Sequence, residues 1–274
     1  TIRLFIRMRE NEVISRIGAV VRPNTAGAST LAALQVPTDR LDEVAAIVSG
    51  QPLVNHNYER EHALNLWFVV AGADPNSVAA TIANIERQTG LDAVNLPLLN
   101  SYHIDLGFPL VTGHSRCRAA RNHARDCDPS PLDRRILAAI EDGLPLVETP
   151  YQTVADWLGL KEADVIARLE RLVATGVVKR FGCVVRHDKL GYTSNAMAVW
   201  DVPDPMVDRV AETFARHPRV TLCYRRPRRP PAWTYNLFCM VHAKSRNDAY
   251  DVIDEINLRA DTGLIRQAVL FPTR

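Results

Sequence analysis

The chain repeats itself, and the repeat constrains the fold more than any other feature. Val13-Ile14-Ser15-Arg16-Ile17-Gly18-Ala19-Val20-Val21-Arg22 reads like Val177-Val178-Lys179-Arg180-Phe181-Gly182-Cys183-Val184-Val185-Arg186. Each has an apolar pair, two polar residues, an apolar residue, a glycine and then a short strand. Gly27 matches Gly191, Val36-Pro37 matches Val202-Pro203, and Asn65-Leu66-Trp67-Phe68-Val69-Val70 matches Asn236-Leu237-Phe238-Cys239-Met240-Val241. Self-similarity on this scale means that one folding unit occurs twice.

Within each copy the apolar pattern switches between a period of two and a period of 3.6. The order is strand, helix, strand, strand, helix, strand, with the second helices near residues 75–89 and 246–259. This is the ferredoxin-like βαββαβ unit. Both helices lie on one face of its antiparallel sheet, so the other face must be covered. Two copies in one chain answer that need by pairing sheet to sheet or edge to edge.

The copies differ in what precedes them. Leu132, Ile136, Leu137 and Ile140 form a helical stripe, Thr153 is an N-cap candidate for the helix that Gly159 ends, and residues 161–175 carry a third helix stopped by Gly176. With the strand Val177 to Val185, residues 131–186 read as a winged helix-turn-helix. Residues 1–22 keep a truncated remnant of that element and its wing strand. The ferredoxin-like domains span 23–110 and 187–274, and 111–130 is a polar, Arg-rich linker. The expected class is α+β, with an intrachain pseudo-dimer.

Composition narrows function by exclusion. No apolar run approaches the ~20 residues of a membrane span. No secretory signal is visible, so the cytoplasm is expected. The net charge is only +2, against a general nucleic-acid binder. Cys117, Cys127, Cys183, Cys223 and Cys239 form no C-x-x-C pair and read as free thiols.

A winged helix-turn-helix followed by βαββαβ resembles the Lrp/AsnC regulators. Longer strings narrow the likeness. Arg180-Phe181-Gly182, Val199-Trp200-Asp201-Val202-Pro203, Cys223-Tyr224-Arg225-Arg226-Pro227 and Tyr235-Asn236-Leu237-Phe238-Cys239-Met240-Val241-His242 resemble siroheme decarboxylase subunits. Asn55-His56-Asn57-Tyr58-Glu59-Arg60-Glu61 and Tyr102-His103-Ile104-Asp105-Leu106-Gly107-Phe108 resemble the companion subunit. The order is that of the fused, NirDL type of the family. The resemblance implies that two acetate side chains of siroheme lose CO2, giving 12,18-didecarboxysiroheme in haem d1 biosynthesis. It implies no added cofactor, because the iron arrives in the substrate. Siroheme and related iron tetrapyrroles are the expected partners, with no nucleic acid or membrane. Homodimerisation or pairing with homologous subunits is left open.

The residues can be weighed against that chemistry. A polyanionic disc calls for cations, and Arg forks match carboxylates. Arg225, Arg226, Arg228 and Arg229 lie within five residues, a crowding that asks for an anionic partner, and Arg60 is their counterpart in the first copy. Decarboxylation of an arylacetate needs proton delivery, which His or Tyr performs near neutral pH. His56, His242 and His103 are the catalytic candidates. His56 stands where the second copy has Leu222, and His242 where the first has Ala71. This asymmetry suits a single active site. Tyr58, Tyr224 and Tyr235 can stack on the ring or donate hydrogen bonds. Trp67, Trp200 and Trp233 read as packing or wall, and His62, His187 and His217 as solvated turn residues.

Three other readings remain. His114, Cys117, His123 and Cys127 have zinc-ligand types, but their spacing matches no strong metal motif. A transcription regulator would need a basic reading helix, yet Lys161, Arg168 and Arg171 are offset by Glu162, Asp164 and Glu170. A non-catalytic tetrapyrrole sensor or carrier would share the same cleft.

Overall fold

The computed structural model describes residues 2–104, 128–186, 189 and 191–273. The described chain divides into two compact units. One holds the residues up to Gly27 and those from 128 to 189. The other holds those from Ala28 to 104 and from Gly191 onward.

The first unit is the winged-helix body. Its elements are α1 (Ile2–Glu10), β1 (Ile14–Val21), α4 (Pro131–Ala139), α5 (Pro150–Leu158), α6 (Glu162–Ala174) and β7 (Val178–Val185). The two wing strands pair antiparallel with each other, Gly18 opposite Gly182 and Ile17 opposite Cys183. The truncated copy is thus completed by the full one. Ile136, Ile140, Val154, Val165, Leu169, Leu172 and Val178 form the core. The loop after α4 lies against β1, with Leu144 N–H bonded to the Ile17 carbonyl at 2.7 Å. Gly143 permits this, at φ 105° and with no room for a Cβ against Ile17 O. The N-cap expected at Thr153 moves upstream. Pro150 takes the first helical turn, where its missing N–H is no loss. Thr153 therefore lies inside α5, its hydroxyl donating to Thr149 O at 3.0 Å.

The second unit contains both repeats. The first consists of β2 (Ala28–Leu34), α2 (Leu41–Ser49), β3 (Val54–Glu59), β4 (Leu66–Gly72), α3 (Pro75–Thr89) and β5 (Val94–Pro97), followed by β6 (Asn100–Ile104). The second is β8 (Ser194–Trp200), α7 (Val207–Ala215), β9 (Val220–Arg225), β10 (Leu237–Ala243), α8 (Arg246–Ala260) and β11 (Gln267–Leu270). α3 begins at an Asp74–Ser77 capping box with Pro75 in its first turn, and Gly90 closes it in the left-handed conformation.

Strand alternation sends one set of side chains to the helices and the other to the opposite sheet. On the helix side lie Ala32, Leu34, Leu66, Phe68 and Val70 in the first repeat, and Ala196, Ala198, Trp200, Leu237, Cys239 and Val241 in the second. Between the sheets, Leu31, Ala33, Trp67 and Leu96 meet Met197, Val199, Tyr224, Phe238, Met240 and Leu270.

The repeats also exchange edges. The sheets run β3-β4-β2-β5 and β11-β8-β10-β9-β6. β6 comes from the first repeat yet pairs with β9 of the second. In return, the chain after β11 bonds to the end of β3, Glu61 N–H to Phe271 O at 3.0 Å and Thr273 N–H to Glu59 O at 3.2 Å. The sequence pattern predicts four strands per repeat. β6 is a fifth, formed because β9 would otherwise be an unpaired edge. Among the described residues no helix is long and apolar enough to cross a membrane.

Candidate active site

The unit's pseudo-two-fold symmetry can be tracked residue by residue. Asn65 clamps Val36, its amide accepting from Val36 N–H and donating to Val36 O, both at 2.9 Å. Asn236 does the same to Val202, again at 2.9 Å each way. Each repeat also has a bulge in the strand that follows its first helix, at Asn55 in β3 and at Thr221 in β9. The bulges realign the strand so that His56, Tyr58 and Arg60, and likewise Leu222, Tyr224 and Arg226, share the register of the inter-sheet face.

Two arginines lie at the centre of this arrangement. Arg60 is 4% exposed, and its Nη1 donates to Leu270 O at 2.9 Å and Asn195 O at 3.3 Å. Arg226 donates from Nη1 to Leu96 O, the matching carbonyl in the other repeat. Arg60 lies 5.7 Å from the Tyr58 ring centre and Arg226 lies 4.7 Å from that of Tyr224. Among the described residues neither guanidinium has a carboxylate partner. Burial lowers the pKa of both, and the nearby tyrosines only partly oppose it. Burial raises the pKa of the Tyr224 phenol, which stays a neutral hydrogen-bond donor.

The histidines break the symmetry. His242 is 5% exposed and shares the face of Phe238 and Met240. It pairs in register with Asn195 of β8, and its Nδ1 lies 2.9 Å from Thr221 Oγ1. His56 and Tyr58 stand on the edge strand β3, both exposed, their ring centres 6.1 Å apart. Contacts therefore run from His56 through Tyr58 and Arg60 to Asn195, the neighbour of His242. In the other half the same positions hold Leu222, Tyr224, Arg226, Ser29 and Ala71. Both histidines fall in one half, and the other has Leu222 and Ala71 in their places. Sequence inspection overlooks Asn195 and Thr221; comparing Asn195 with Ser29 and Thr221 with Asn55 across the repeats would have found them.

The remaining candidates fall elsewhere. A bulge at Tyr102 sets His103 opposite Cys223, a residue of the helix-side core. Tyr235 packs edge-on to Trp233 at 4.9 Å under Arg266. Trp67 and Trp233 meet edge to face at 4.9 Å between the sheets, whereas Trp200 packs on Phe214 among the helices. His62 is half-buried against Trp233 and His217 is buried on Glu255 at 3.1 Å, so neither is the solvated residue expected; burial lowers both pKa values. His187, and the group His114, Cys117, His123 and Cys127, lie outside the described residues. Among the described residues no cluster of His, Cys, Asp or Glu could hold a metal.

The arginine loop corrects another expectation. Its anionic partners are inside the protein. Arg225 reaches Asp204 at 3.0 Å, and Arg228 reaches Asp201 at 2.7 Å and Asp204 at 2.9 Å. Arg229 bonds Asn95 O at 3.0 Å. The mutual repulsion suggested by the sequence is relieved within the protein by two aspartates and by carbonyls of β5 and the loop itself.

Fold and site together define an AsnC-type ligand-domain protein whose two halves are carried by one chain. A model of the AsnC-like ligand binding domain matches residues 26–103 and 189–274, and one of the siroheme decarboxylase NirDL-like HTH domain matches 133–178. The siroheme decarboxylase NirDL subunit of Paracoccus denitrificans is 43% identical over 98% of this chain and 82% of its own length. The siroheme decarboxylase of Hydrogenobacter thermophilus is 31% identical over 90% of this chain and 73% of its own. A crystal structure of the siroheme decarboxylase NirDL with an iron-uroporphyrin III analogue superposes with a TM-score of 0.69 at 26% identity, covering 100% of this chain and 80% of that one. The chain belongs to the siroheme decarboxylase family.

Proposed function

We propose that this chain is a carboxy-lyase acting on siroheme, converting two acetate side chains to methyl groups and releasing two CO2 to give 12,18-didecarboxysiroheme. The product serves haem d1 biosynthesis. The observation that carries the reading is the one-sided placement of the interface histidines in a member of this family. His56 and His242 lie in one half with Tyr58, Arg60 and Asn195, whereas the matching positions of the other half hold Leu222 and Ala71 with Tyr224, Arg226 and Ser29. The buried Arg60 and the half-buried Arg226 support an anionic substrate, since a cation withdrawn from water without a carboxylate is costly until one arrives.

The chemistry is proton management. A proton adds to the ring carbon next to the one that bears the acetate, and the C–CO2 bond breaks with its electron pair forming an exocyclic C=C bond to the ring. A second proton then completes the methyl group as the ring proton leaves, so each CO2 released consumes one proton. His242 and His56 are the proposed donors, with His103 third, because imidazole exchanges protons near neutral pH. Tyr58, Tyr224 and Tyr235 are proposed as stacking or hydrogen-bonding groups. Arg225, Arg226, Arg228 and Arg229 are proposed as a positive wall that the carboxylates meet, Arg229 being the exposed member. The reading needs no cofactor beyond the iron within the substrate, places the protein in the cytoplasm, and allows a homodimer or pairing with homologous subunits.

Anaerobic incubation with siroheme and mass analysis of the pigment tests the reading. Loss of two CO2 units is expected. Binding without a mass change would make the protein a carrier, and no binding would return the chain to the regulators it resembles in fold.

A further inference from the structure

The hydroxyl of Thr221 lies against one ring nitrogen of His242. Thr221 is 7% exposed and occupies the bulge of β9. Its hydroxyl lies 3.1 Å from Met240 O and 2.9 Å from His242 Nδ1. A hydroxyl has one proton to give, and a carbonyl can only accept. When the hydroxyl gives its proton to Met240 O, its oxygen accepts and Nδ1 is the donor; when it gives the proton to Nδ1, the roles reverse. A neutral imidazole protonated on Nδ1 keeps its basic lone pair on Nε2.

The repeat supplies an independent control. The other half has the same bulge, at Asn55, and the same strand position, at Ala71, but neither the hydroxyl nor the imidazole. The bulge therefore belongs to the fold, whereas threonine and histidine occur together in one half only. A threonine with a merely structural role in closing the bulge would have no reason to accompany the histidine.

We propose that Thr221 is a positioning residue for the decarboxylation, holding His242 as the Nδ1–H tautomer so that Nε2 is the nitrogen that takes up and delivers the proton. This rests on the reading of His242 as a proton donor, and two measurements keep the ideas separable. The first is 15N NMR of the full chain labelled at histidine, with His242→Ala to assign the signal. Nδ1 of His242 is expected to be protonated in the wild type and in Thr221→Ser, with a mixture of tautomers in Thr221→Val, which removes the hydroxyl at nearly constant shape. A wild-type signal with the proton on Nε2, or a Thr221→Val signal like the wild type, overturns the positioning role whatever His242 does. The second is turnover of siroheme. Thr221→Val should lower kcat roughly 10-fold or more with KM little changed, the scale set by general acid–base catalysis, and Thr221→Ser should restore it. Wild-type kcat in Thr221→Val sinks the proposal. If His242→Ala keeps full turnover while the tautomer follows Thr221, the reading of His242 fails and the catalytic part of the proposal with it.

Discussion

Asp133 illustrates how one side chain engages two cations of the reading helix. It has no exposed surface, and its carboxylate accepts from Ser130 N–H at 2.7 Å, Ser130 Oγ at 2.6 Å, Arg168 Nη1 at 3.1 Å and Arg171. Burial pushes its pKa up, but the hydrogen bonds from Ser130, Arg171 and Arg168 outweigh that and hold it well below the usual carboxylate range. Two cations of the reading helix are thus engaged within the protein, a poor starting point for phosphate contacts. Because the folded pKa is depressed, the stabilisation is present above the unfolded value of about 3.9 and fades as pH falls towards the folded one. Asp133→Ala should destabilise the winged-helix unit by about 2–4 kcal/mol at neutral pH, since it removes the capping-box carboxylate and the anion that Arg168 and Arg171 share. The deficit should shrink in acid, as urea unfolding at neutral and acid pH would reveal. At the other site, His56→Ala and His242→Ala should still bind siroheme but lose roughly 100-fold or more of turnover. Pigment titration and mass analysis check the two halves of that expectation, and unchanged rates in both variants would remove these histidines from the chemistry.

At the scale of elements, the exchanged edges couple the two repeats. β6 needs β9, and the chain after β11 needs β3, so neither sheet keeps its edge without the other. The backbone bond from Leu99 N–H to Arg225 O, 2.9 Å, opens the first exchange. Leu99→Pro removes that donor and restricts the preceding residue. It should cost about 1–3 kcal/mol, measured as a lower denaturation midpoint. An unchanged midpoint would mean that sheet-to-sheet packing alone holds the halves together. Such packing is substantial, since Trp67, Trp233, Phe238 and Leu270 are almost wholly buried between the sheets. The bulges at Asn55 and Thr221 also act at this scale. Each adds one residue and so decides which side chains of β3 and β9 face the partner sheet.

For the whole molecule, the fusion converts a two-fold arrangement into one whose halves can differ. In a dimer of identical chains, every histidine on the interface occurs twice. Here His56 and His242 each occur once, and both belong to the same half. Because the wing strands β1 and β7 pair, and the repeats share a core and exchange edges, the covalent link is not what holds them together. A chain divided within residues 105–127 and co-expressed as two pieces should therefore co-purify as a one-to-one complex with siroheme turnover. Pieces that elute separately on size exclusion would show that the link itself is required.

Much of this was legible in the sequence because it is local or periodic. The order of strands and helices follows from apolar spacing, the helix bounds at Pro75 and Gly90 from backbone chemistry, and the pseudo-symmetry from the repeat itself. The asymmetry of His56 against Leu222 and of His242 against Ala71 could be read by aligning the chain with itself. What could not be read depends on contacts between residues distant along the chain. Four arginines in five residues suggested a waiting ligand, and only the tertiary structure brings Asp201 and Asp204 to them. His217 looked exposed in its turn until α8 brought Glu255 against it. β6 was not recognisable as a strand, because its hydrogen-bond partner belongs to the other repeat. Bulges leave little trace in composition, so the residues they direct towards the partner sheet, Thr221 and Arg60 among them, were settled by register. Local propensity and period reside in the sequence, whereas partnership, burial and the face a side chain occupies are properties of the folded chain.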